Sequence, residues 1–199
     1  MIALVSGGCK NGKSYYAQHL SKELAQGEDR SAEGGKLYYI ATMIPHDEED
    51  HARIRRHLSE REGWGFETIE QGKNIGELVE RDIDFAGTFL FDSVTAVMEN
   101  EMYPVALKER QDGTSERVFL GEDMTAPARV TAGCLDFAKA VRAAGGNLVF
   151  VSDGIYGDGG EYSQSTECYR KALAEADRAI ATEADRVIEV SYGIAEDWK

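Results

Sequence analysis

Cationic residues, paired cysteines and long apolar runs are scarce in this chain, and each shortage excludes a class of protein. Lysine and arginine total 22 against 36 aspartates and glutamates, a net charge of −14. A nucleic acid or an anionic membrane would therefore meet repulsion rather than release counterions. Any phosphate bound here must be held by a local device that overcomes the global field. The three cysteines, Cys9, Cys134 and Cys168, lie far apart with no C-x-x-C pair. That argues against a disulfide framework or a zinc cluster and suits a reducing compartment. No run of 18 apolar residues occurs, and the apolar stretch after Met1 is too short for a secretory leader. We expect a cytoplasmic protein with no nucleic-acid or membrane partner. Repeats and Pro-rich or Gly/Ser-rich linkers are also missing, so residues 1–199 are expected to form one domain.

What is present is an alternation of short β-type runs with longer helical patterns. Residues 2–6, 37–42, 66–70, 88–92, 148–152 and 187–192 are rich in Ile, Val, Phe and Tyr, several of them apolar on both faces. Between them, residues 13–28, 47–62, 75–82, 125–144 and 164–184 carry apolar residues at helical spacing. The alternation predicts an α/β fold, a mostly parallel sheet with helices on both faces. Two segments break it. Residues 26–35 read as a solvent loop, and residues 101–125 as a long charged insert serving as a lid, an oligomer contact or a mobile segment.

Gly7-Gly8-Cys9-Lys10-Asn11-Gly12-Lys13-Ser14 satisfies G-x-x-x-x-G-K-[ST], after an apolar strand and at the start of a helix. Glycines let backbone N–H groups converge on an anion, the helix amino terminus adds a positive dipole, Lys13 reaches the terminal phosphates and Ser14 ligates Mg²⁺. The alternative is a Gly-rich turn that only links strand to helix. Asp92, directly after the run Thr88–Phe91, falls at a carboxyl strand end and is the second expected metal-site residue; otherwise it caps the helix that begins near Ser93. A third pattern spaces Glu49, Arg53, His57 and Arg61 four apart, one polar stripe on a helix. Ile54 and Leu58 are offset towards another face, available to pack on the sheet. Flanking arginines favour a neutral, nucleophilic imidazole at His57 and attract phosphate, unless this is merely a solvated helix face. The acidic flanks of His46 and His51 point to caps or surface, and His19 has no polar companions.

The P-loop, Tyr39-Ile40-Ala41-Thr42, Arg53-Ile54-x-x-His57-x-x-x-Arg61, Phe66-x-Thr68-x-Glu70 and Asp92-Ser93-Val94-Thr95 with Asn100 beyond occur in order over roughly the first half of the chain. In this the sequence resembles the bifunctional adenosylcobinamide kinase/adenosylcobinamide-phosphate guanylyltransferase family of cobalamin biosynthesis. The resemblance implies a P-loop NTPase-like fold, GTP, ATP and Mg²⁺ as reactants and cofactor, a corrinoid substrate, a guanylylated His57 and a homo-oligomer, with trimers known in the family. It also implies nucleotide contacts at Ala41, Thr42 and Met43, at Leu58, Ser59, Glu60 and Arg61, at Glu70 and at Asp92. The chain departs from the family pattern at Phe66 for Trp, at Glu62 for Pro, and at Asp153-Gly154-Ile155-Tyr156-Gly157 for an Asn-Glu-Val-Gly segment. Two other readings stay open: a P-loop kinase with a different acceptor, and a non-catalytic nucleotide-binding regulator.

Overall fold

A computed structural model describes residues 1–27, 35–45, 48–109, 115–157 and 159–199, without the side chains of Arg53, Arg56, His57, Leu58, Glu60, Leu107, Glu109 and Ser115. The strands are β1 (Ile2–Gly7), β2 (Leu37–Ala41), β3 (Phe66–Glu70), β4 (Thr88–Asp92), β5 (Val105–Glu109), β6 (Ser115–Phe119), β7 (Asn147–Asp153), β8 (Arg186–Ser191) and β9 (Ile194–Asp197). The helices are α1 (Lys13–Ala25), α2 (Glu48–Glu60), α3 (Val94–Met102), α4 (Ala126–Ala143) and α5 (Gln164–Glu183), with a 3₁₀ turn over Ile75–Glu80.

Seven strands form one sheet in the order β3-β2-β4-β7-β1-β8-β9. All neighbours are parallel except β8 and β9. The apolar runs have no polar alternation because both faces are covered, and a period of two sends alternate residues into different cores. Ile2, Leu4, Phe89 and Phe91 join the core under α3, α4 and α5. Ala3, Val5, Leu90 and Val149 join the core under α1, with Ala17 and Leu20 of that helix. A parallel sheet brings its carboxyl ends to a single edge. There Gly7 pairs with Asp153, Asp92 with Val151 and with Ala41, and Ala41 with Glu70.

Three expectations change. Residues 101–125 are not one patternless insert: Glu101 and Met102 end α3, and β5 and β6 form an antiparallel hairpin. Its strands carry charged residues such as Lys108, Glu116 and Arg117, and this hides their pattern. The helix expected over 47–62 covers Glu48–Glu60, with Asp47 outside the described residues, and Gly63, at φ 78°, turns the chain just beyond it, so Arg61 is the first residue past the helix. Ile54, expected to be available to the sheet, lines a cavity over the strand ends together with Tyr39 and Ala41 of β2.

Candidate active site

The loop after β1 folds back on itself through two residues that need positive φ, Lys10 at 59° and Gly12 at 91°; Asn11 N donates to Gly8 O at 3.4 Å. At Gly7 a β-carbon would collide with the Val190 carbonyl, so only glycine lets the strand leave the sheet there. Lys13 is largely buried, its Nζ donating to Gly8 O at 3.4 Å. Its charge is paired with the Asp153 carboxylate at the end of the adjacent strand β7. An incoming phosphate therefore exchanges one anion for another at Lys13, which lessens the desolvation cost of binding.

Ser14 is where the loop reaches a cavity of about 530 Å³. Ala41, Thr42, Met43, Glu70 and Asp92 line it from the strand ends, and Arg61 from beyond α2. Gly7, Gly8, Cys9, Lys10, Asn11, Gly12 and Lys13 lie outside this lining, and Ser59 belongs to a neighbouring, more open depression with Arg61. His46 lies outside the described residues, as do the side chains of His57, Leu58, Glu60 and Arg53. Positions 54 and 61, three before and four after position 57, both line the cavity.

Thr42 is fully buried and already engaged, its Oγ1 accepting from Ser93 N at 2.5 Å and donating to Ser93 O at 3.0 Å. It ties β2 to β4 and shapes the pocket wall. Asn100 does the same one layer back, donating from Nδ2 to Thr42 O and Gly72 O, each at 2.9 Å. The cap of α3 is Ser93, whose Oγ accepts from Ala96 N at 3.2 Å. The cap is therefore not Asp92, whose Oδ2 accepts from the Tyr39 hydroxyl at 3.2 Å. Burial, with the Asp92 charge beside it, holds the Tyr39 hydroxyl well above its ordinary range, so it stays a neutral donor. Arg61 lies over the Tyr39 ring, its guanidinium carbon 3.5 Å from the centroid, in the distance range of a cation–π contact. It is 8% exposed, and its Nη1 has no hydrogen-bond partner. A buried guanidinium with an open donor costs free energy until an anion meets it.

Sequence reasoning passed over three residues. Asp153 follows an apolar run just as Asp92 does, and that was the available signal. Tyr39 shows its role only when β2 and the end of α2 are juxtaposed. His51, expected at a cap or on the surface, is exposed yet lines the cavity. Ser14, Asp92 and Asp153 are hard oxygen donors of the kind Mg²⁺ takes alongside phosphate and water. Among the described residues no cluster of three or more His, Cys, Asp or Glu offers an all-protein metal site. None of the described helices is long and apolar enough to cross a membrane.

A parallel sheet with helices on both faces, a strand–glycine loop–helix carrying Lys13 and Ser14, and acids at the two strand ends on one side of that loop together define a P-loop α/β protein. Residues 3–197 match the sequence model of the cobinamide kinase / cobinamide phosphate guanyltransferase family, and the chain belongs to that family. It is similar to the bifunctional adenosylcobalamin biosynthesis protein CobU of Escherichia coli (strain K12), 33% identical over 104 residues. That match covers 52% of this chain and about half, 51%, of the relative's length. Among solved structures, a KaiC-like protein from the archaeon Pyrococcus horikoshii aligns at a TM-score of 0.46 and 13% identity, covering 94% of this chain and 69% of that one.

Proposed function

We propose that the protein phosphorylates adenosylcobinamide and then transfers GMP from GTP to the product through a guanylylated His57, giving adenosyl-GDP-cobinamide. The observation that carries this reading is one cavity lined by Ser14 of the phosphate loop, Asp92 and buried Arg61, whose Nη1 has no hydrogen-bond partner. In the kinase step the hydroxyl of the corrinoid's aminopropanol arm attacks the terminal phosphorus and the bond to the bridging oxygen breaks. Lys13, released from Asp153, follows the phosphoryl oxygens, and the loop N–H groups hold them in line. Mg²⁺ held by Ser14 and Asp92 would supply neutralisation of phosphate charge. Arg61 anchors an anionic group in the cavity, and its planar guanidinium is fixed in orientation by Tyr39.

In the second step an imidazole nitrogen of His57 attacks the α-phosphorus of GTP and pyrophosphate leaves. The corrinoid phosphate then attacks the same phosphorus and the P–N bond breaks. Splitting the transfer this way avoids bringing two polyanions together. Glu70, which lines the cavity, accepts hydrogen bonds from guanine or ribose in this reading. Incubation with α-labelled GTP should leave acid-labile label on the wild-type protein and on His51→Ala, and none on His57→Ala. Label that survives His57→Ala would remove the guanylyltransferase step.

A further inference from the structure

The β8–β9 hairpin closes through two residues, Tyr192 and Gly193, between the paired Ser191 and Ile194. Both have positive φ, 54° and 77°. A two-residue turn of that kind favours Asn, Asp or Gly at its first position, because a bulky side chain is strained in the left-handed region. Tyrosine stands there instead, and at 92% exposure it gains almost nothing from burial. The fold has no evident use for it. The turn rests on the phosphate loop: Gly193 N donates to Asn11 O at 3.1 Å, and its α-carbon would lie 3.7 Å from a β-carbon at Gly12. A local conflict placed against a ligand-binding loop is where function is to be sought.

The sheet order gives the direction. Asp153 and Asp92 end β7 and β4, which lie on one side of β1, whereas β8 and β9 lie on the other. Phosphoryl transfer to an acceptor in the cavity requires the terminal phosphate to point towards those acids. A triphosphate lying across the loop then carries its ribose and base away from the cavity, to the side of the Tyr192 turn. Resting on the kinase reading above, we propose that Tyr192 is the stacking platform for the base of the phosphoryl donor, a purine nucleoside triphosphate. The guanine that is transferred lies at the opposite end, in the cavity by Glu70, so one phosphate cradle is used from two directions. Aromatic stacking is tolerant of base identity, so the platform itself imposes no choice between adenine and guanine.

Calorimetry with the imido-bridged, non-hydrolysable ATP analogue and with inorganic tripolyphosphate, each with Mg²⁺, tests this. Tyr192→Asn should bind the analogue roughly tenfold more weakly, in line with the loss of one stacked base. Its tripolyphosphate affinity should be unchanged, and its thermal midpoint equal to or above that of the wild type because Asn suits the turn. Tyr192→Phe should bind the analogue as the wild type does, and α-labelled GTP should still label Tyr192→Asn fully. Wild-type affinity for the analogue in Tyr192→Asn overturns the platform, as does an equal loss for tripolyphosphate. Loss of GTP labelling overturns the two directions. Failure of the wild type to bind the analogue while it binds tripolyphosphate also overturns the proposal. If Lys13→Ala binds tripolyphosphate normally, the phosphate cradle itself has failed and the platform falls with it.

Discussion

The two flanks of the phosphate loop are built from opposite materials. Towards β7 and β4 the strand ends carry Asp153 and Asp92, with a buried arginine on a tyrosine ring and a walled cavity. Towards β8 and β9 there is an exposed hairpin whose turn holds Tyr192, with Ile194 and Trp198 also exposed. The first flank keeps fixed charges in a partly desolvated space, where they act strongly on phosphate. The second has little charge to offer a ligand at its turn, only an aromatic surface. In the proposed reading one flank does the chemistry, and the other only holds a substrate by its unreactive end.

Breaking the loop should erase both flanks at once. Lys13→Ala is expected to weaken triphosphate binding by about 2–4 kcal/mol, the loss of a largely buried charge-assisted contact, with unfolding by urea little changed; calorimetry with nucleotide and with tripolyphosphate reads it.

Next comes the ground beneath the chemical flank. Asp177 of α5 is 4% exposed, and its carboxylate accepts from Ser152 at 2.8 Å and Tyr156 at 3.0 Å. Burial pushes its carboxyl from 3.8 up to about 6, against the pull of those two hydrogen bonds. The folded state thus keeps a proton that the unfolded chain has already released. Stability from this group is complete below 3.8 and is lost as pH rises to about 6, by about 2–3 kcal/mol in all. Asp177→Asn should remove that loss, so urea midpoints of wild type and variant should diverge as pH climbs through the window. Parallel curves would place the proton elsewhere.

Arg61→Ala should cost about 1.5–3 kcal/mol in binding of GTP through the cavity and leave binding of the ATP analogue at the Tyr192 side intact; Arg61→Lys should recover only part, since an ammonium cannot repeat the guanidinium's contact with the Tyr39 ring. The smallest effect belongs to the second flank, where Tyr192→Asn should raise hairpin stability by about 0.5–1 kcal/mol, measured as a shift in the thermal midpoint.

Strands β1, β2, β4 and β7 are legible in the sequence because a strand buried on both faces is a continuous apolar run, β3 and β8 only from their β-branched and aromatic residues, since Glu67, Thr68, Glu70 and Glu189 are exposed, and the phosphate loop because its mechanics are local. Other elements are hidden for physical reasons. Helix α3 is apolar on most sides, with Val94, Val97, Met98 and Met102 fully buried, so it lacks an amphipathic period, and only its start at Ser93 is foreseen. The residues of β9 are all exposed and show no burial pattern. In the site, Asp92 is found from its place after a run. Arg61 is singled out by its spacing in the polar stripe and by the family resemblance, but its bed on Tyr39 depends on where the chain turns after α2. The direction of the two flanks cannot be read without strand order.

The central claim is that one cradle serves both transfers to a corrinoid. Mass spectrometry of adenosylcobinamide incubated with the protein, Mg²⁺ and ATP, then with GTP added, tests it most directly. The account predicts adenosylcobinamide phosphate first and adenosyl-GDP-cobinamide after GTP, with neither formed by Lys13→Ala. Unmodified adenosylcobinamide in the presence of bound nucleotide would contradict it.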